Sequence, residues 1–254
     1  MSASEARLPV SSGPLAEPAG RVALLFSGGL DSAAAAILLA REFREIHLFT
    51  YDNGHGHLFV GRSRGTASDL ARAFPGRVTH HVARCGDLFR RLVTDDVQGN
   101  YRRYGSRFVW CLGCKMAMHS ETIAACLCHG IGWASDGSSA ETEYYVEQSP
   151  VGLRLIRGLY GEFGIQLTTP VHRLATRGEE RRLLDAHGVR TGITFRDRNP
   201  GTQPLCLPGN GLYLLSTLLS VHPDFPSDQV EAFFADKTPI CREWIAQRTG
   251  GRHG

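Results

Sequence analysis

Short apolar runs alternate with longer amphipathic stretches over the first 150 residues of the chain. Four runs have the length of buried strands, at 21–26, 46–50, 77–83 and 131–135. Four stretches have the pattern of helices, at 32–43, 61–74, 87–97 and 115–129. This alternation predicts an α/β protein whose parallel sheet is covered by helices on both faces. Ligands of such sheets bind beyond the carboxyl ends of the strands.

The pattern becomes mostly helical after Pro150. Further helices are predicted at 152–163, 173–187, 212–221, 228–235 and 241–248, with a short extended piece at 165–168. The segment 195–211 is rich in proline and glycine and is predicted to be a loop. We therefore expect three regions: a disordered N-terminal tail at 1–20, an α/β domain at 21–150, and a mostly helical region at 151–254.

Composition narrows the class of protein. The tail has no basic segment followed by an apolar core, and no apolar run is long enough to cross a bilayer, so we expect a cytoplasmic protein without a membrane partner. A net charge of +3 is too small to indicate nucleic-acid binding by itself. Only Lys115 and Lys237 are lysines among the 28 basic residues, which reflects either composition bias or phosphate recognition by arginine. Seven cysteines without a secretory signal indicate free thiols or a metal site.

The sequence SGGLDS, at 27–32, joins the first predicted strand to the first predicted helix. Gly28 and Gly29 let the backbone approach a phosphate closely, and the following helix adds its positive N-terminal end. Ser27 and Ser32 can donate hydrogen bonds to phosphate oxygens. Asp31 would hold a magnesium ion that binds the phosphates, since a carboxylate repels phosphate directly. The junction therefore predicts an anion site.

Neither the Walker pattern nor the Rossmann glycine pattern occurs at this junction. SGGLDS instead resembles the pyrophosphate loop (PP-loop) of the N-type ATP pyrophosphatases, S-G-G-x-D-S, at all fixed positions. The resemblance implies a Rossmann-like (HUP-type) fold and ATP binding by the 21–150 domain. It also implies cleavage of ATP between the α and β phosphates, transfer of AMP to a carbonyl oxygen, and displacement of AMP by a nitrogen or sulfur nucleophile. The chance occurrence of a glycine-rich turn is the alternative.

A second signal is the C-x-x-C pair of Cys111 and Cys114, which is predicted to precede the helix at 115–129 and to gain thiolate stabilisation from its N-terminal end. Cys206 lies far along the chain between prolines. Zinc bound by these cysteines with His119 or His129, a redox disulfide, and plain packing remain open. Cys126 and Cys128 lie in an apolar stretch and are predicted to be core residues.

The combination of SGGxDS, C-x-x-C and one distant cysteine resembles the sulfur-transferase branch of the same superfamily. This branch includes tRNA-thiolating enzymes and the sulfur-inserting enzyme of the nickel-pincer cofactor pathway. The resemblance implies that Cys111, Cys114 and Cys206 hold a [4Fe–4S] cluster, with zinc as the alternative, and that they act in catalysis with Asp31. Relatives usually carry paired acidic residues where this chain has Glu141 and Thr142. The substrate end of the pocket is therefore expected to differ.

Three further positions are candidates. Asp136 follows the strand at 131–135 and would bind ATP, a second magnesium or the substrate, with a turn at Gly137 as the alternative. The resemblance places Asp52 near the nucleotide. His55 and His57 allow a metal pair, although a flexible loop explains them more simply. Lys115 would lower the pKa of the neighbouring thiol or bind phosphate.

These observations together predict an ATP-dependent sulfur transferase that adenylates a carbonyl or lactam oxygen and replaces it with sulfur. A small heterocycle is slightly favoured over a tRNA base as substrate, because the charge is low and no RNA-binding appendage is evident. The sulfur donor would be sulfide or a cysteine desulfurase, and a homodimer is allowed. An amide- or nitrile-forming ligase of the same superfamily and a non-catalytic nucleotide sensor are the alternatives.

Overall fold

The computed structural model describes residues 19–140, 143–174, 176–192, 201–209 and 225–250. Most of the predicted tail, part of the loop at 195–211 and the helix predicted at 212–221 lie outside these residues. So do Glu141 and Thr142.

Five strands form one parallel sheet. They are β1 (Ala19–Leu25), β2 (Phe43–Asp52), β4 (Val78–Arg84), β5 (Trp133–Ser135) and β6 (Gln166–Thr168), in the spatial order β4-β2-β1-β5-β6. Two short strands, β3 (His57–Leu58) and β7 (Leu205–Cys206), pair antiparallel beside it.

The helices of the described chain connect and cover these strands. They are α1 (Leu30–Glu42), α2 (Ser63–Ala73), α3 (Gly86–Leu92), α4 (Val97–Tyr104), α5 (Ser106–His129), α6 (Pro150–Glu162), α7 (Arg177–Ala186) and α8 (Ser227–Arg248). Among the described residues, we find no helix with the length and apolar character that a membrane span requires.

Alternate residues of the central strands point to opposite faces of the sheet. On β1, Val22 and Leu24 pack with α1, α2 and α7, whereas Ala23 and Leu25 pack with α3, α5, α6 and α8. Burial on both faces explains why β1 reads as a continuous apolar run. The predicted α/β class, with a parallel sheet covered on both faces and a helical C-terminal part, is confirmed.

The structure corrects three local predictions. The C-x-x-C pair lies inside α5 and does not precede a helix, since α5 begins at Ser106. The two helices predicted at 228–235 and 241–248 are one helix, α8, which runs through Pro239. The Pro- and Gly-rich segment contains a strand, β7, that pairs with β3 through His57 and Cys206.

Candidate active site

The turn between β1 and α1 is built around Gly28. Its φ of +79° is one that residues with a side chain rarely adopt. A Cβ atom placed there would overlap the Thr202 carbonyl oxygen and lie 2.8 Å from the Cα of Ser63. Glycine is therefore required both by its backbone angles and by the chain segments packed against it.

The two serines of this phosphate loop (Ser27 to Ser32) face each other. Their hydroxyl oxygens lie 3.1 Å apart, Ser27 accepts from the Gly29 amide at 3.2 Å, and Ser32 donates to the Gly29 carbonyl at 3.1 Å. Helix α1 begins directly after Gly29, so its first amides lie beside these hydroxyls. Hydroxyl and amide donors at a helix N-terminus form the arrangement that binds phosphate.

Asp31 has a carboxylate oxygen that lacks a protein partner. Its Oδ1 is buried and has no hydrogen bond within the described residues, while its Oδ2 lies 3.9 Å from Nη2 of Arg177. A buried carboxylate oxygen is costly unless it is paired with a donor or a cation. The chemistry of this oxygen therefore fits a magnesium ion that is shared with the phosphates.

A cavity of about 350 Å³ lies beyond the carboxyl ends of the strands. Four of the five predicted loop residues line it, namely Ser27, Gly29, Asp31 and Ser32. Asp136, Lys115, His57 and Cys206 line it as well. Asp52 does not; its carboxylate accepts from the Gly54 amide at 2.9 Å and closes a turn.

An ion pair lies at the buried wall of the cavity. Lys115 Nζ donates to Asp136 Oδ2 at 2.8 Å, and Asp136 Oδ1 accepts from the Ser138 amide at 3.0 Å. The hydrogen bond from the Ser138 amide forms the turn at Gly137 that the sequence analysis gave as the alternative role of Asp136. Burial alone would raise the pKa of Asp136, but Lys115 and these hydrogen bonds outweigh it and hold that pKa at about 2. The carboxylate is therefore ionised at neutral pH.

A buried histidine extends this pair into the protein. His119 Nε2 lies 3.7 Å from Asp136 Oδ2, and its Nδ1 is 2.9 Å from the Tyr160 hydroxyl. Burial, followed by the charge of Lys115, lowers the pKa of His119 to about 3. Nδ1 is paired with Tyr160, while Nε2 points towards Asp136 without a hydrogen bond among the described residues, so the ring is directed at this pair and not at the cysteines.

The three predicted cysteines converge from two elements. A Cβ atom placed on Gly209 would lie 3.2 Å from the sulfur of Cys206 and 3.8 Å from that of Cys111, so both sulfurs face the same small space. Cys114 lies one helical turn from Cys111 and accepts from Asn53 Nδ2 at 3.2 Å. His57, the ladder partner of Cys206, brings its Nε2 to 3.8 Å from the Cys114 sulfur.

The thiols of Cys114 and Cys206 are not poised as thiolates. Burial raises the pKa of Cys114 to about 12 and also raises the pKa of Cys206. The predicted stabilisation by a helix N-terminus is wrong for Cys114, and Lys115 has only a minor effect because its ammonium points to Asp136. Among the described residues, no group of three or more His, Cys, Asp and Glu side chains already has the spacing of a metal-ion site.

Other sequence candidates separate in space. The centroid of the His55 ring lies 5.4 Å from that of Phe89, whereas His57 faces Cys114, so the two histidines do not form a metal-binding pair.

Cys126 is buried as predicted, but Cys128 is exposed, and the prediction of a core role for Cys128 is wrong. Further cavity residues that the sequence did not single out are Thr50, Tyr51, Met118, Gln148, Arg177 and Gln203. Only Thr50 and Tyr51 carried a signal, because they end the second predicted strand.

Comparison with known proteins places these features in a wider group. No family model matches the chain. The chain is 27% identical over 230 residues to the tRNA-specific 2-thiouridylase MnmA of Rhodospirillum rubrum, a match that covers 80% of this chain. It spans 58% of the length of that relative.

The fold resembles that of a 4-thiouridine synthetase solved in complex with RNA and bound ATP. The TM-score is 0.55 and the identity 13%, over 92% of this chain and 54% of the other. A predicted subunit of a tRNA methyltransferase from Methanocaldococcus jannaschii gives a TM-score of 0.43 at 13% identity, over 83% of this chain and 92% of the other.

Proposed function

We propose that the chain is an ATP-dependent sulfur transferase of the PP-loop ATP pyrophosphatase type, acting on a base of tRNA, as its likeness to a tRNA 2-thiouridylase and to the fold of a 4-thiouridine synthetase suggests. In the first step, a carbonyl oxygen of the base attacks the α-phosphorus of ATP, and pyrophosphate leaves. In the second step, a sulfur nucleophile attacks the activated carbon, and AMP leaves with the original oxygen. The base gains sulfur in place of oxygen, and no net oxidation or reduction occurs.

One observation supports this proposal above the others: the phosphate loop and Cys206 line the same cavity. The loop amides and the hydroxyls of Ser27 and Ser32 would hold the phosphates, and Gly28 lets the loop approach them. Asp31 would hold magnesium, which neutralises charge on the leaving pyrophosphate when it is bound. Positioning and charge neutralisation are the main contributions that this chemistry needs from a protein.

The cysteines would supply the sulfur side of the reaction. The sulfurs of Cys206 and Cys111 both face Gly209, and the sulfur of Cys114 faces His57, the ladder partner of Cys206. Soft thiolate ligands in this number fit a [4Fe–4S] cluster with one iron left open, and zinc is the alternative. Metal binding would displace the thiol protons that burial otherwise retains. When bound, the cluster supplies a site that can carry sulfide.

The comparisons support tRNA over a small heterocycle as the substrate. The sequence slightly favoured a small heterocycle, and nothing in the comparisons supports that preference. The names of the sequence relative and of the TM-score 0.55 structure both refer to thiolation, and they mention tRNA or RNA. We therefore take tRNA as the substrate in this proposal.

The test combines two readouts under anaerobic conditions. The protein is incubated with ATP, magnesium, sulfide and a pool of in vitro transcribed tRNAs, which carry no thiolated base. Pyrophosphate release is measured, and digested nucleosides are analysed by mass spectrometry for sulfur. Asp31→Asn should lose both signals, whereas Cys206→Ser should lose sulfur incorporation and retain ATP binding. Cys128→Ser is the matched control, because this exposed cysteine lies at the other end of α5.

The same preparation decides between the two metals. Iron and acid-labile sulfide in the wild-type protein, both lost in Cys111→Ser and Cys114→Ser, would support the cluster. Colourless protein with stoichiometric zinc after anaerobic reconstitution would move the assignment to zinc. Sulfur incorporation that survives in Cys206→Ser would contradict the role proposed for this cysteine.

A further inference from the structure

An exposed aromatic ring lies beside the mouth of the cavity, and neither the phosphate loop nor the cysteines make use of it. Phe59 is 56% exposed, the preceding Leu58 is 38% exposed, and Leu207, which bonds to Gly56 on the paired strand, is 53% exposed. Leu58 belongs to β3 and Leu207 follows β7, so the paired strands that hold Cys206 also carry this apolar patch. Solvent exposure of three large apolar side chains next to a cavity marks a surface for binding.

The backbone at Phe59 is strained. Its φ of +57° makes it the only residue other than glycine with a positive φ among the described residues. A bulky side chain is rarely found in this conformation, which persists only where the surrounding structure fixes it. Here Phe59 accepts a hydrogen bond from the Arg62 amide at 2.9 Å, and the preceding residue is fixed by its ladder pairing with Leu205. Phe59 thus combines a strained backbone conformation with an apolar ring that is exposed to solvent.

Arg62 adds positive charge beside the ring, and Arg64 approaches Gly61 in the same segment. The guanidinium carbon of Arg62 lies 4.0 Å from the centroid of the Phe59 ring. Within the described residues, neither Arg62 nor Arg64 has a carboxylate partner. The Arg62 guanidinium is positioned by the Phe59 ring, and no carboxylate among the described residues neutralises it, so it can bind an anionic ligand.

The position of this patch relates it to the reaction. Helix α2 begins at Ser63. Ser63 packs tightly against the phosphate loop, since a Cβ atom added to Gly28 would lie 2.8 Å from the Cα of Ser63. On the other side, Leu207 directly follows Cys206. The segment with Phe59 and Arg62 therefore connects the strand that pairs with Cys206 to the helix whose first residue packs against the phosphate loop.

We infer that Phe59 and Arg62 form a stacking platform for an unpaired base of the RNA substrate, with Arg62 and Arg64 facing its phosphates. This inference rests on the proposed function and adds the recognition of single-stranded RNA to it. An aromatic ring binds the face of any base, and arginine supplies both stacking and charge. A base inside a duplex cannot reach a reactive centre, so a platform at the mouth would hold a neighbouring nucleotide once the strand is open.

The chain offers a matched control at the other end of the same helix. Phe74 and Arg77 have the same spacing as Phe59 and Arg62, with the Arg77 guanidinium carbon 5.9 Å from the ring centroid. Phe74 follows the C-terminal end of α2 and packs against His187, away from the cavity. Substitution of Phe74 thus removes an equivalent ring without touching the proposed platform.

The test measures RNA binding without turnover. A short fluorescein-labelled oligouridine is titrated with protein and followed by fluorescence anisotropy, in the absence of ATP and sulfide. Phe59→Leu should weaken binding by roughly 5-fold to 100-fold, which corresponds to the loss of one base–aromatic stack. Phe59→Trp should bind as well as the wild type, and Phe74→Leu should leave affinity unchanged. Arg62→Gln should weaken binding and reduce its salt dependence.

The outcomes separate this inference from the proposed function. Equal affinity of Phe59→Leu and wild type, or equal binding of the oligouridine strand when it is annealed to oligoadenosine, would overturn the platform. If tRNA thiolation is observed at the same time, the proposed function stands without it. If the wild-type protein binds no RNA, the platform is overturned, and sulfur transfer to a small heterocycle becomes the function to test.

Discussion

At the scale of single residues, Lys115 and Asp136 form a buried ion pair at the wall of the cavity. Both side chains are almost completely buried, and each is the nearest opposite charge of the other. Removal of one partner leaves an uncompensated charge beside the cavity, which typically costs 3–5 kcal/mol. Removal of both leaves no charge to compensate.

Lys115→Met should therefore lower the free energy of unfolding by about 3 kcal/mol or more. The double variant Lys115→Met/Asp136→Asn should recover a large part of this loss, because it no longer buries an isolated carboxylate. Urea-induced unfolding of the wild type, both single variants and the double variant gives the coupling free energy directly. Strict additivity of the two single losses would show that the pair is not coupled in the folded protein.

Local motifs made some of these residues predictable. The phosphate loop could be identified because its function depends on consecutive residues, SGGLDS, at one strand–helix junction. Asp136 could be placed at a strand end for the same reason. Its partner could not be foreseen, because Lys115 reaches it only through the packing of α5 on the sheet. His57 was ambiguous in the sequence, since its contact with Cys114 depends on the β3–β7 pairing.

At the scale of elements, helix α5 contains a glycine between its two functional cysteines. A glycine at a helix interior costs roughly 0.5–1 kcal/mol relative to alanine. The structure shows why glycine is needed there: a Cβ on Gly113 would overlap Cγ2 of Val93. Close packing at this point holds α5 against Val93, next to the turn that carries Cys111 and Cys114.

Gly113→Ala is therefore expected to destabilise the protein by about 1–3 kcal/mol, the usual cost of overpacking, although alanine is the better helix former. The matched control is Gly158→Ala in α6, where a Cβ would meet no atom within 4 Å. That variant should stabilise the protein by roughly 0.5–1 kcal/mol. Thermal or urea unfolding of the two variants measures both effects. A gain in stability at Gly113 would mean that Val93 moves aside freely.

Helix α8 illustrates how packing can outweigh a local signal. Pro239 predicts a break, because it lacks an amide hydrogen and its ring crowds the preceding turn. The helix nevertheless continues, with buried Phe233 and Phe234 before the proline and buried Cys241 and Ile245 after it. Thr238 donates to the Phe234 carbonyl at 2.7 Å and so satisfies one acceptor in the turn before the proline. Burial on both sides of Pro239 favours a continuous helix over two short ones.

At the scale of the whole molecule, the class of the fold could be predicted but its long-range pairings could not. Alternating strands and helices indicate a parallel sheet whatever the strand order. The extended piece at 165–168 gave no sign that it would add β6 to the edge of the sheet beside β5. One apolar cluster also joins Phe89 and Leu112 to Tyr160 and Phe233. Residues before and after the predicted boundary at position 150 thus share a core, while the boundary itself stays a prediction.

The same shared core makes stability sensitive to acid. His119 has no exposed surface, and its pKa of about 3 in the folded protein compares with 6.5 in an unfolded chain. Burial also lowers the pKa of His80, to about 4. Below pH 6.5 the unfolded chain binds protons that the folded protein does not bind. The free energy of unfolding therefore falls as the pH falls, by about 1 kcal/mol per pH unit for a fully buried histidine such as His119.

Between about pH 7.5 and about pH 5, the wild-type protein should lose stability, and His119 should account for about 2 kcal/mol of that loss. Asp136 does not contribute in this range. Its pKa is about 2 in the folded protein and 3.8 in an unfolded chain, so the ionised carboxylate stops stabilising the fold only at lower pH. His119→Asn, which keeps a polar partner for the Tyr160 hydroxyl, should show a smaller loss over the same range. Urea unfolding of both proteins at the two pH values measures this difference. An equal loss in the two proteins would show that His119 takes up a proton in the folded state, which its burial and the nearby charge of Lys115 argue against.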